Sequence, residues 1–226
     1  MTVLQRRESA LAKTQSPDPP TGTELDAGTP EAAAKLGKVD VSVRPVSIAN
    51  DDGKSPTTVP SLATAQTIWG KCCVNLKIES AKTVSKTSFK TMDEDPSSST
   101  FSPSAEEADA MKAAGAGGGV ISVIVPETFK DGAKVDKNID GGGVTYMPNK
   151  ADASCFLVEG SDPSNVAHEL GHAMGFGQHA AGTVMEGSGA FDKPNPSKVS
   201  SALCTTVRNF AFGSLAATKD CAITTP

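Results

Sequence analysis

The three histidines of this 226-residue chain all lie in one short stretch, HELGHAMGFGQH, which runs from His168 to His179. His168 and His172 are four residues apart, so on a helix they point the same way. Two imidazoles on one helical face are well placed to hold a single zinc ion. Glu169 follows the first histidine, and its carboxylate can accept a proton from a metal-activated water. The chemistry such a set performs is hydrolysis. The plain alternative is a helix carrying ordinary imidazoles and no metal. The clustering of every histidine, the glycine at 175 and the methionine at 185 argue against it.

The elements that must position these residues are readable around them. Asp162 followed by Pro163 is a helix start. The helix should carry both histidines and end near Gly175, where glycine tolerates the positive φ of a sharp turn. Val166, Leu170, Ala173 and Met174 lie on other parts of its surface and can face a core. Past the turn, GTVMEG places Met185 in a turn-like setting.

Upstream, Val39, Val41 and Val43 alternate with polar residues, and Val46 and Ile48 follow Pro45. That is a strand, expected at a sheet edge or bulged at the proline. Residues 61–72 have helical spacing, and Val74, Leu76 and Ile78 predict a second strand. Residues 80–103 read as a long loop or ragged hairpin. Ser104 and Glu107 form a capping box before a short helix that the glycines at 115 and 117–119 end. VISVIV, from Val120 to Val125, predicts a central strand buried on both faces. Short strands are expected at 144–147 and 156–158. A last helix is expected from Asn195-Pro196, with Val199, Ala202, Leu203, Val207 and Phe210 as its apolar face. The order predicts one small mixed α/β or α+β domain.

Residues 1–36, rich in Pro, Thr and Ala, predict a disordered linker, pro-segment or delivery segment, with residues 37–226 as the catalytic domain. Net charge is −5 with no basic stripe, which argues against nucleic-acid binding. No apolar run reaches membrane-spanning length, so no membrane insertion is expected. The N-terminus has no apolar core of a signal peptide. The expectation is therefore secretion or delivery by a route without one, with a cytoplasmic location as the alternative. The five cysteines form no CxxC pair. Two disulfides with one free thiol, or five reduced thiols, both fit. Asp136, Asn138 and Asp140 place oxygen ligands at alternate positions ahead of Gly141, like the first half of a calcium loop. Met147 stands where the closing glutamate would be, and a solvated turn is the plainer reading.

HELGHAMG resembles the opening of the metzincin signature HExxHxxGxxH, which is followed by a methionine turn. The third ligand of that clan would fall at Gln178. Here a histidine, His179, stands one residue later, and imidazole is the better zinc ligand. IWGKCCVNLKI, from Ile68, is similar to the helix-then-strand opening of matrixin-type members. DGGGVTYMPN, from Asp140, is similar to their calcium loop and edge strand. The resemblance implies an α+β, metzincin-like zincin fold: a twisted mixed sheet with a backing helix, an active-site helix and a small C-terminal subdomain. It implies zinc on His168, His172 and His179, with Ca2+ as a further expectation at 136–140. Met185 would be an apolar floor under the metal. Val144, Thr145 and Tyr146 would form the edge strand that receives a protein or peptide substrate. The implied activity is zinc endopeptidase with Glu169 as general base. A zinc-stabilised binding module without turnover is an alternative, and so is a gluzincin-like protease with Glu186 as third ligand.

Overall fold

The alternation that starts at Val39 forms strand β1 (Leu36–Ala49). The structure is a computed structural model that describes residues 36–93, 103–131, 134–136, 143–146, 153–186, 196–209 and 218–221. β1 is not an edge strand. β5 (Val120–Val125) pairs with it in parallel along one side. β2 (Val74–Ile78) and then β3 (Lys82–Ser85) pair with it in parallel along the other. Pro45 survives inside this ladder for a geometric reason. Odd-numbered residues of β1 turn their backbone groups toward β2 and β3: Val39 N donates to Cys73 O, Val43 O accepts from Glu79 N, and Ala49 O accepts from Lys86 N. The β2 register ends opposite Val43 and the β3 register begins opposite Val46. The missing N–H of Pro45 therefore faces the break between two partner strands, where no ladder bond is lost.

Beyond β5 come β9 (Ser154–Leu157), parallel to it, and β8 (Gly143–Tyr146), antiparallel to β9. β10 (Thr218–Cys221) pairs antiparallel with the start of β1, giving the order β10-β1-β5-β9-β8. A separate three-stranded sheet joins β4 (Thr91–Asp93), β6 (Thr128–Asp131) and β7 (Lys134–Asp136). β3, a 3-10 turn at Thr87–Lys90 and β4 occupy much of the stretch expected as a loop. Their strand character comes from distant partners rather than from local alternation.

Four helices complete the described residues: α1 (Ala63–Gly70), α2 (Ala105–Ala114), α3 (Pro163–Ala173) and α4 (Ser201–Asn209). Alternate residues of β5 serve opposite faces. Ile121 and Val123 join a core with residues of α1, α3 and α4, while Ile124 joins a second core with α2. Trp69 is fully buried, and its indole N–H donates to Ala167 O at 3.0 Å, tying α1 to α3. Cys72, just after α1, is disulfide-bonded to Cys204 of α4, 132 residues away. Cys73 is disulfide-bonded as well, and Cys155 is a buried free thiol.

The last helix begins later than Asn195-Pro196. Ser200 caps it, with Oγ accepting from Leu203 N at 3.2 Å. Residues 196–200 instead form a strap: Lys198 O accepts from Val184 N, and Ser197 O accepts from Lys71 Nζ. Leu203 and Val207 are buried as expected, but Ala202 is exposed. Phe210 lies outside the described residues.

Candidate metal centre

Helix α3 starts as its sequence demands. Asp162 Oδ1 accepts from Ser164 N at 2.8 Å, with Pro163 in the first turn. It ends in a paired closure: Gly175 N donates to His172 O and Phe176 N to Gly171 O, with Gly175 at φ +91°. That pattern needs a left-handed residue, which glycine supplies without strain. The closure also delivers the Phe176 carbonyl to the His172 ring.

Both helical imidazoles are fixed at Nδ1. His168 Nδ1 lies 2.9 Å from Val184 O, and His172 Nδ1 lies 2.7 Å from Phe176 O. A carbonyl only accepts, so each Nδ1 carries the proton and each Nε2 is bare when the ring is neutral. The two Nε2 atoms face each other at 3.1 Å. With no proton between them, two lone pairs at that distance repel, and a cation relieves the repulsion. Tetrahedral zinc, with Zn–N near 2.0–2.1 Å, sets its nitrogen ligands about 3.3 Å apart. The pair fits such an ion.

His179 closes the group. Its ring centroid lies 5.3 Å from that of His168 and 5.2 Å from that of His172. One ligating nitrogen from each of the three lies within 4.8 Å of the others, so the set can hold a metal ion. Burial lowers the His168 pKa to about 4, with the neighbouring His172 adding to the effect. Desolvation lowers His172 and His179 as well. The rings are therefore neutral at neutral pH, the form that binds metal.

Glu169, next to His168, is 3% exposed, and burial pushes its carboxyl up to about 7. The Thr145 hydroxyl opposes that rise. Thr145 Oγ1 lies 2.6 Å from Glu169 Oε2 and 3.0 Å from the Glu169 backbone carbonyl.

Met185 is fully buried beneath α3, in a turn where Ala180 N donates to Met185 O and Met185 N to Thr183 Oγ1. A Cβ at Gly171 would overlap Met185 Sδ and come 2.9 Å from Trp69 Cζ2. This explains the glycine inside HELGH: it lets the methionine lie against the helix between the two histidines.

The other expected residues separate cleanly. Gln178 is exposed. Glu186 Oε2 accepts from Gly182 N at 3.0 Å, and the three-histidine group does not include it. Val144, Thr145 and Tyr146 lie in β8, which ends the strand order. The Tyr146 hydroxyl donates to Glu107 Oε1 of α2 at 2.8 Å. Only the backbone of Asp136 is described, in β7, and Asn138 and Asp140 lie outside the described residues. Gly143 and the carbonyls of Val184 and Phe176 are site groups that the sequence reading did not find. Carbonyl partners leave no residue-type signature, and Gly175 was the only hint of the turn that supplies one.

Fold and site together define a mixed α/β domain whose three clustered histidines can hold a metal ion. No protein-family model matches the sequence, and no curated protein does. Among solved structures the chain is similar to metalloproteinase-II from Bacteroides fragilis, at 11% identity and a TM-score of 0.38. The match covers 76% of this chain and 53% of that one, so the chain spans about half the length of that structure. At that score the likeness identifies neither family nor activity. Among the described residues, no helix is long and apolar enough to cross a membrane.

Proposed function

We propose that the chain is a zinc-dependent endopeptidase of metzincin type. The observation that carries this reading is the pair of bare Nε2 atoms at 3.1 Å, each ring anchored through Nδ1 to a backbone carbonyl. His168, His172 and His179 would hold the metal. Zinc there would supply Lewis acidity, polarising a peptide carbonyl and acidifying a water. Glu169 takes the proton from the attacking water and returns it to the leaving amine. Met185 keeps the floor below the histidines apolar. Among the described residues β8 ends the sheet order, and an extended peptide backbone would add along its outer edge as a further strand. The Cys72–Cys204 disulfide supports an oxidising compartment, consistent with secretion or delivery outside the cell.

Glu169→Gln tests the reading. The variant should keep its zinc and lose proteolysis by about 10²- to 10⁴-fold, the range for a general base. Zinc binding with no peptidase activity in the wild type, and none to lose in the variant, would instead describe a metal-stabilised binding module.

A further inference from the structure

The Glu169 carboxyl is held by the neighbouring strand as well as by its own helix. Gly143 and Thr145 are two residues apart on β8 and so share the face turned toward α3. A Cβ at Gly143 would come 2.8 Å from Glu169 Cγ, 3.1 Å from Cδ and 2.9 Å from Phe156 O. Thr145, 7% exposed, reaches both the Glu169 carboxyl and the Glu169 backbone carbonyl with one hydroxyl. The carboxyl therefore lies in a slot on β8, left open by the glycine and closed by the threonine.

We propose that Thr145 is the positioning residue for Glu169, and that Gly143 keeps the slot open. The proposal rests on the endopeptidase reading and deepens it. A carboxylate at this position accepts the hydroxyl proton of Thr145 at Oε2. A carboxylic acid donates to Oγ1 instead, and the hydroxyl proton turns to the Glu169 carbonyl. The heavy atoms need not move between the two forms. The strand that would receive the substrate thus also aims the base, so a peptide laid along β8 meets Glu169 at a fixed offset.

The experiment compares wild type, Thr145→Val, Thr145→Ser, Gly143→Ala and Glu169→Gln. The probe is the best-cleaved peptide from an internally quenched library. Metal content, Tm and the Glu169 side-chain carboxyl 13C resonance of the metal-free protein are read alongside. Thr145→Val should lower kcat roughly 10- to 100-fold, the cost of a misplaced catalytic group, with KM and metal content unchanged. Thr145→Ser should restore kcat, and the Glu169 resonance should move in the valine variant and return in the serine one. Gly143→Ala should lower kcat through the same carboxyl, keeping Thr145. Wild-type kcat in Thr145→Val, an unmoved resonance, or a serine variant as slow as the valine one overturns the proposal. If Glu169→Gln is inactive while Thr145→Val is fully active, only the role of Thr145 falls. If Glu169→Gln is fully active, or the wild type cleaves no peptide, the endopeptidase reading falls and takes this proposal with it.

Discussion

His168 and His172 differ from His179 in how they are held. The first two stand on a capped helix, and each ring is locked by a carbonyl from the turns that follow. His179 is exposed, and its ring makes no hydrogen bond to a described residue. The pair is set before any metal arrives. The third ring must give up rotamer freedom on binding, a cost of about 1 kcal/mol. The helical pair should therefore carry most of the affinity, with His179 completing the coordination.

The largest test of that contrast is metal affinity. His168→Ala or His172→Ala should weaken zinc binding by more than about 100-fold, beyond what losing a supporting group costs. His179→Ala should weaken it less than either of these, and Gln178→Ala should change nothing. Competition against a chromogenic chelator reads all four. Equal losses at His168 and His179 would break the contrast.

The pH dependence of stability should belong to the pair as well. The His168 pKa is lowered in the folded protein to about 4 from 6.5. Its contribution is thus fully present above pH 6.5 and is lost as pH falls toward 4. By linkage this is worth up to about 3 kcal/mol. The raised pKa of Glu169 acts oppositely: stability is lost as pH rises from 4.5 to about 7. Urea unfolding of the metal-free Glu169→Gln protein removes that opposing slope. Its stability should rise between pH 4 and 6.5, and adding His168→Gln should reduce that rise. Adding His179→Ala should reduce it less.

A smaller effect is expected under the helix. Gly171→Ala drives a methyl into Met185 and Trp69, and overpacking of this kind costs roughly 1–3 kcal/mol. Because the Met185 turn also supplies the Val184 carbonyl, the variant should lose zinc affinity along with Tm. A drop in Tm with unchanged zinc affinity would show that the His168 anchor does not depend on that packing.

The helix that carries the site was legible because its information is local. Asp162, Pro163, the four-residue spacing and Gly175 each announce themselves in sequence. What could not be read depends on partners far along the chain. Pro45 looks like an edge signal until β2 is seen to stop, and β3 to start, on either side of it. Asn195-Pro196 looks like a helix start, but the segment after it is occupied as a strap across Val184 and Lys71. Thr145 read as one residue of an alternating strand, and only the fold reveals that its hydroxyl meets Glu169. The shift from Gln178 to His179 was visible in sequence, whereas its meeting with the helical pair needed the turn geometry.

The most direct measurement is zinc per chain in the purified wild-type protein after dialysis against a weak chelator. The geometry of the three histidines predicts one tightly held zinc ion per chain. A chain that emerges with none, and takes up none when zinc is added back, would contradict the metal centre and the peptidase chemistry built on it.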